Sequence, residues 1–257
     1  MTRHGDGSAG DANYGRIGHD YANFRQPDPV IERAIGAALG NARTVLNVGA
    51  GAGSYEPNDR DVTAVEPSAS MRAQRPSQLV AAIDAVAENL PFADHEFDAA
   101  MTTFSVHQWS DLKAGLREMR RVTKGPVVIL SCDPSLVRRF WLNDYAPQVL
   151  ETEARHYPSL AHIGEVLGGN VTTEAVPIPL LCRDGFNEAY YGRPERLLDE
   201  AARLACSAWS FVSADVAAGY IDHLRSHLDD GTWDRKYGQL RRQPTFDGSL
   251  RLVISRP

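Results

Sequence analysis

A glycine-rich turn, GAGAG at residues 49–53, directly follows a short and mostly apolar run, TVLNV at 44–48. Glycine has no Cβ, so the backbone of such a turn can approach a ligand that a side chain would block. In open parallel sheets, ligands bind beyond the carboxyl ends of the strands. The candidate binding residues in this turn are Gly49, Ala50, Gly51 and Gly53.

An acidic residue, Glu66, ends the next mostly apolar run, DVTAV at 61–65. A carboxylate at the end of a strand can accept two hydrogen bonds from the diol of a ribose. A glycine turn with an acid on the neighbouring strand is typical of sites for dinucleotides and for S-adenosylmethionine (SAM). A glycine-rich turn that binds no ligand is the alternative interpretation.

The spacing of the glycines distinguishes the two ligands. The dinucleotide fingerprint GxGxxG requires a third glycine at position 54 or 56, where this sequence has Ser54 and Glu56. A glutamate at the start of the following helix would also repel a pyrophosphate. SAM carries no phosphate, so the sequence favours SAM over a nicotinamide dinucleotide.

Strands and helices are predicted to alternate around these residues. Asp28 is a candidate N-cap for a helix that Gly40 ends, and Pro29 suits the first turn of that helix. Alternating strands and helices predict an α/β fold with a doubly wound, mostly parallel Rossmann-like sheet. The predicted strands are 44–48, 61–65, one within 78–83, 97–102 and 126–131; the predicted helices are 28–39, a short one from 67 to 71 and one from 110.

The pattern changes after residue 131. Residues 135–167 and 186–229 are predicted to be helical, with strands at 171–179 and 251–255. Many aromatic residues lie between 140 and 211, and they form either core or the wall of an apolar substrate pocket. The predicted organisation is a disordered tail at 1–13, a SAM-binding core at 14–131, strand and helix elements with a helical substrate lobe at 132–245, and a final core strand at 246–257.

Composition limits the partners of the chain. The 257 residues carry a net charge of −6, which does not give the basic footprint of a nucleic-acid binder. Three cysteines lie far apart, without the spacing of a zinc site or a disulfide framework. The N-terminus lacks the apolar region of a signal peptide, and no apolar run reaches the ~18–20 residues of a membrane span. We therefore expect a cytoplasmic protein with a small-molecule substrate, without nucleic acid, membrane or metal, and of undetermined oligomeric state.

Four segments carry a family resemblance: VLNVGAGAGSYEP at 45–57, VTAVEPSASM at 62–71, AENLPFADHEFDAAMTTFSVHQW at 87–109 and LREMRRVTKGPVVIL at 116–130. They resemble the class I, Rossmann-like SAM-dependent methyltransferases. The most similar branch includes the ubiquinone/menaquinone-type enzymes and many small-molecule methyltransferases. The part of the chain after these segments resembles no motif that defines an activity.

The resemblance implies a set of cofactor contacts. The loop from Gly49 to Gly53 would lie under the methionine part of SAM, and the backbone at Gly49 and Thr103 would meet its amino group. Glu66 would hold the ribose hydroxyls. The remaining implied contacts are Pro67 and Met71 beside the adenine, Ala87 and Glu88 at its edge, and Tyr21 and Arg25 closing over the cofactor, with Arg25 as partner of its carboxylate.

The sequence departs from the family pattern at two positions. Asn47 stands where the family often has Asp or Glu, and an amide cannot neutralise an ammonium group. Val86 stands where the family often has Asp, so adenine recognition would depend on the backbone and on Glu88.

His107 follows the fourth predicted strand, on the side where the family places the methyl donor. An imidazole with an ordinary pKa of about 6.5 is largely neutral at pH 7 and could take a proton from an acceptor. Such general-base help is worth roughly 10²–10⁴-fold in rate. His107 is therefore a candidate catalytic residue, and a histidine that only fixes its loop is the alternative.

The predicted function is SAM-dependent methyl transfer to an O or N atom of a small molecule. The alternatives are a SAM-binding protein without methyl transfer, such as a cyclase or a sensor, and a macromolecule methyltransferase. Amino-directed DNA enzymes of this class carry an Asn/Asp-Pro-Pro-aromatic motif after the fourth strand, where this sequence has TTFSVH at 102–107. That departure disfavours DNA methylation.

Overall fold

The structure is a computed structural model that describes the backbone of residues 21–257 and the side chains of residues 23–257. The predicted disordered tail at 1–13 and the side chain of Tyr21 lie outside the described residues. Within the described part, none of the helices is long and apolar enough to cross a membrane.

Within residues 21–257, a six-stranded sheet with the order β2-β1-β3-β4-β8-β5 forms the centre of the protein. The first four strands in this order are parallel, whereas β8 is antiparallel to both of its neighbours. The sheet confirms the predicted mostly parallel α/β fold. The strands are β1 Thr44–Val48, β2 Asp61–Val65, β3 Ala99–Thr103, β4 Val127–Cys132, β5 Asn170–Ala175, β6 Ile178–Pro179, β7 Thr245–Phe246 and β8 Leu250–Arg256.

Helices cover both faces of this sheet. The Asp28 carboxylate accepts a hydrogen bond from the Val30 amide at 2.8 Å, as the predicted N-cap requires. Short 3₁₀ turns connect many of the elements. The α-helices are α1 Tyr21–Phe24, α2 Pro29–Leu39, α3 Ala69–Ala73, α4 Leu112–Arg121, α5 Pro134–Val137, α6 Pro147–His156, α7 Leu160–Leu167, α8 Glu200–Leu204, α9 Ala214–Asp229 and α10 Thr232–Tyr237.

Three predicted strands differ from the structure. The strand expected within 78–83 is wrong: only Ile83 pairs with β2, through a single bridge to Val65. The side chain of Ile83 is 42% exposed, so this segment buries no face that would hold a longer strand. The strand expected from 97 begins at Ala99, and the one expected at 171–179 divides before β6, where Pro177 has no amide to donate.

Two hydrophobic clusters lie on opposite faces of the sheet. Ile31 and Ile35 of α2 pack on one face, and Leu116 of α4 and Ile163 of α7 pack on the other. Most of the aromatic residues between 140 and 211 belong to the first cluster as core, whereas Phe211 is 43% exposed. The late part of the chain also supplies β5, so it completes the sheet as well as covering one end of it.

Candidate functional site

A cleft opens at the carboxyl ends of β1, β2 and β3, where the sequence predicts a ligand. Parallel strands end at the same edge of a sheet, so the loops that follow them meet there. Gly53 and His107 are predicted site residues that do not line this cleft. The predicted residues that line it are Arg25, Gly49, Ala50, Gly51, Glu66, Pro67, Met71, Ala87, Glu88 and Thr103.

The glycines of the loop have two separate roles. Gly49 and Gly51 have φ angles of 67° and 53°, in the left-handed region. A Cβ at Gly49 would lie 1.9 Å from Ser105 Oγ, so packing within the protein excludes a side chain there. Among the described residues, a Cβ at Gly51 would meet only Met71 Cε, at 3.3 Å, and would narrow the cleft. Gly51 therefore keeps space for a ligand, whereas Gly53 lies against Leu79.

Glu66 organises the floor of the cleft. One carboxylate oxygen accepts from the Gly51 amide at 2.8 Å and the other accepts from the Ser68 amide at 2.8 Å. Burial raises the pKa of Glu66, against the opposing effect of these two hydrogen bonds. Each oxygen has a second lone pair, so Glu66 can order the loop and still accept hydrogen bonds from a diol in the cleft.

Asn47 belongs to a buried network that does not line the cleft. Its Nδ2 donates to Glu56 Oε1 at 3.0 Å, and Arg75 Nη2 donates to Glu56 Oε2 at 2.8 Å. An ionised acid at position 47 could not donate to Glu56. The negative charge beside the loop is therefore carried by Glu56 and neutralised by Arg75, which gives the departure at Asn47 a structural reason.

The residues that the resemblance implies beside an adenine line one wall of the cleft. Met71 and Ala87 are buried, and Pro67 and Val86 lie beside them in the wall. Glu88 Oε1 accepts from Ser110 Oγ at 2.8 Å and from the Asp111 amide at 3.0 Å. Glu88 therefore also fixes the start of α4, which limits how freely it can turn towards a ligand.

Arg25 lies in the wall of the cleft, but the structure gives it a partner that the sequence did not reveal. Its guanidinium forms an ion pair with Asp184, which also accepts a hydrogen bond from the Tyr55 hydroxyl at 2.9 Å. Asp184 is almost fully buried. The positive charge of Arg25 is thus neutralised within the protein, so a ligand carboxylate would have to share it.

Phe104 separates the cleft from a second cavity. The Arg25 guanidinium lies 5.0 Å above the centre of its ring. Phe104 and Tyr55 have φ angles of 50° and 64°, a conformation that costs a bulky residue on the order of 1–3 kcal/mol and is concentrated at functional sites. Both residues line the cleft, and neither was singled out from the sequence.

The second cavity contains His107, together with Glu153, His156 and Tyr157. The His107 ring packs edge-on against Tyr157 with 4.9 Å between ring centres. Burial lowers the pKa of His107 to about 3, with smaller contributions from His156 and Arg25. The expected ordinary pKa of His107 is therefore wrong, because the loop holds the ring away from water.

The polar groups of the cleft fit SAM better than a dinucleotide. Glu66 supplies acceptors for a ribose, and Gly51 leaves space that a Cβ would fill. Among the described residues that line the cleft, Arg25 is the one cation, and Asp184 already neutralises it. The described lining therefore offers no further cation for the two negative charges of a pyrophosphate, whereas the single carboxylate of SAM would have only to share Arg25 with Asp184.

Comparisons with known proteins agree with this geometry. The methyltransferase domain family matches residues 46–129. The chain is 30% identical over 172 residues to demethylmenaquinone methyltransferase of Porphyromonas gingivalis, which covers 58% of this chain and 69% of that protein. It is 34% identical over 121 residues to malonyl-[acyl-carrier protein] O-methyltransferase of Pseudescherichia vulneris, which covers 44% of this chain and 48% of that protein.

A solved structure extends the similarity beyond the cofactor-binding half. A protein described as a methyltransferase from an antibiotic biosynthesis pathway of Anabaena variabilis superposes with a TM-score of 0.84 at 29% identity, over 91% of this chain and 99% of that one. Among curated relatives the match is often shorter, and the chain spans 49% of the Escherichia coli protein YafE. Because the match to the Porphyromonas gingivalis enzyme exceeds two thirds of that protein, the chain belongs to the class I SAM-dependent methyltransferases.

Proposed function

We propose that this protein transfers the methyl group of SAM to an O or N atom of a small molecule in the cytoplasm. The observation that carries the proposal is the second cavity, which adjoins the cofactor cleft and shares Arg25 and Phe104 with it. SAM supplies an activated methyl group on a sulfonium. The protein has only to hold the cofactor, position an acceptor and exclude water.

The proposed cofactor residues divide by chemistry. Glu66 would hold the ribose, the loop from Gly49 to Gly51 would lie under the methionine part, and Met71 and Ala87 would contact the adenine. Thr103 ends β3 beside the loop and would contribute backbone groups. Tyr21 and Arg25 would close over the cofactor, with Arg25 shared between Asp184 and the carboxylate.

Binding of SAM in preference to NADH is the first expected result. Isothermal titration calorimetry should detect binding of SAM and S-adenosylhomocysteine, because the cleft offers Glu66 to a ribose, and its lining residues within 23–257 offer no unpaired cation to a pyrophosphate. NADH is the control ligand and should give no binding heat. Binding of NADH without SAM would contradict the proposal, and mass spectrometry for a methylated product would separate an enzyme from a sensor or a cyclase.

His107 is proposed to contact the acceptor from the wall of the second cavity. His107→Ala should change the Kd of S-adenosylhomocysteine by less than about twofold, because the ring lies outside the cofactor cleft. With its pKa lowered to about 3, the imidazole stays neutral, so the pH profile of methyl transfer should show no inflection from His107 between about pH 5 and 8.

Two measurements check the role of His107. The pH–rate profiles of the wild type and of His107→Ala should have the same shape. An inflection near neutral pH that is present in the wild type and lost in the variant would instead support a general-base role for His107. A tenfold higher Kd for S-adenosylhomocysteine in His107→Ala would instead indicate that the imidazole ring contacts the cofactor. The loss of the edge-on contact with Tyr157 should lower the free energy of unfolding by about 1 kcal/mol.

A further inference from the structure

Glu153 presents a carboxyl group to the second cavity from α6. Asn187 Nδ2 donates a hydrogen bond to Glu153 Oε2 at 2.8 Å. Among the described residues, this is the one hydrogen bond that the Glu153 carboxylate accepts. Among these residues no lysine or arginine forms an ion pair with Glu153. Arg25 lines the same cavity, but its guanidinium is paired with Asp184.

Arg25 offsets part of this charge, but its guanidinium is shared with Asp184. His107 stays neutral at pH 7, and Tyr157 is a phenol whose pKa burial raises well above its usual value. The nearby Glu188 carboxyl accepts hydrogen bonds from Ser249 and contributes no positive charge. A carboxylate that is withdrawn from water without an ion-pair partner is costly, and desolvation raises the pKa of Glu153 against the smaller opposing effects of Asn187 and Arg25.

The chemistry of the cavity therefore selects among acceptors. An anionic acceptor would be repelled by the Glu153 carboxylate. A neutral alcohol would leave the negative charge of Glu153 without compensation. A protonated amine would supply both the missing positive charge and hydrogen-bond donors. We propose, on the basis of the methyltransferase function proposed above, that the methyl acceptor is a basic amine whose nitrogen lies against the Glu153 carboxylate.

The same contact can prepare the nitrogen for reaction. Ammonium has no lone pair to donate, so one proton must leave before methylation. In a cavity of low dielectric, desolvation disfavours both ions, and the proton can pass from the ammonium to the Glu153 carboxylate. The nitrogen lone pair then forms the bond to the methyl carbon, and the carbon–sulfur bond breaks with its electrons remaining on sulfur. A further N–H proton then leaves the methylated nitrogen for water.

Binding to the protein saturated with S-adenosylhomocysteine tests the proposal without turnover. The probes are three matched pairs: propylamine and 1-propanol, phenethylamine and 2-phenylethanol, tryptamine and tryptophol. At least one amine should bind about tenfold or more tighter than its alcohol, and Glu153→Gln should remove this preference. The matched control is Glu151→Gln, an exposed acid on the same helix, which should keep the preference.

The outcomes separate this proposal from the proposed function. Loss of the amine preference in Glu153→Gln, with unchanged affinity for S-adenosylhomocysteine, supports the amine acceptor. If no amine binds more tightly than its alcohol in the wild type, or if Glu153→Gln keeps the preference, the amine proposal is overturned while the cofactor site stands. If S-adenosylhomocysteine itself does not bind, the proposed function fails. If Glu153→Gln does not fold, the comparison of each amine with its alcohol in the wild type still tests the amine proposal.

Discussion

Asp184→Ala is expected to lower the free energy of unfolding by about 3 kcal/mol, because it leaves a mostly buried guanidinium without its partner. The side chains of Asp184 and Arg25 are 3% and 12% exposed. The same substitution removes the acceptor of the Tyr55 hydroxyl, which holds one wall of the cleft. Urea unfolding followed by circular dichroism would measure the change.

An exposed ion pair provides the control for Asp184. Asp222 accepts from Arg225 Nη1 at 2.7 Å, but their side chains are 72% and 49% exposed. Asp222→Ala should therefore change the stability by less than about 0.5 kcal/mol. Equal effects of the two substitutions would show that the Arg25–Asp184 pair does not anchor the first described segment of the chain to the region after β6.

Glu66→Ala is expected to weaken SAM binding by about a hundredfold. Each hydrogen bond from a ribose hydroxyl to this carboxylate is worth about 1.5 kcal/mol or more, and 1.4 kcal/mol corresponds to a factor of ten. Burial raises the pKa of Glu66, so its protonation on acidification begins above the usual range of a glutamate. Cofactor affinity should therefore start to fall at that higher pH, as calorimetry across pH would show.

Asp98→Ala is the matched control for Glu66→Ala. Asp98 also accepts hydrogen bonds from two backbone amides, those of Arg43 and Thr44 at 3.0 and 3.1 Å. It lies at the amino-terminal ends of β1 and β3, away from the cleft. Asp98→Ala should reduce stability and leave the Kd for SAM unchanged. An unchanged Kd in Glu66→Ala would show that Glu66 serves only to hold the loop.

A second probe separates the ribose contact from the support of the loop. Methylthioadenosine and its 2′-deoxy analogue differ by one hydroxyl group. If Glu66 binds the diol, the wild type should bind the deoxy compound at least about tenfold more weakly. Glu66→Ala should bind the two compounds equally, whereas a loop defect alone would weaken both and preserve their difference.

Local patterns in the sequence were sufficient for most of the cofactor half of the protein, but not for the segment 78–83, where the expected strand is a single bridge. The bounds of β1 and β2 follow from two short apolar runs, each bounded by turn or charged residues. The helix α2 begins and ends where Asp28 and Gly40 indicate. Strands of a parallel sheet end at one edge, so Gly51 and Glu66 meet although 15 residues separate them.

The second cavity could not be predicted in this way. Glu153 and Asn187 are 34 residues apart, and no local period links α6 to the turn that carries Asn187. The unusual φ angle of Phe104 is held by packing against Arg25 and Phe186, which come from distant parts of the chain. Such contacts depend on how whole elements pack, which sequence spacing does not encode.

The sequence by itself determined the α/β fold class and the glycine loop and acid that are typical of a SAM-dependent methyltransferase, because residues close together in the chain indicate each of them. Only the tertiary structure decided the state of the charged groups. It paired Arg25 with Asp184, 159 residues away, and left Glu153 without an ion pair among the described residues. It also enclosed His107 in the wall of a cavity, and desolvation there lowers its pKa to about 3.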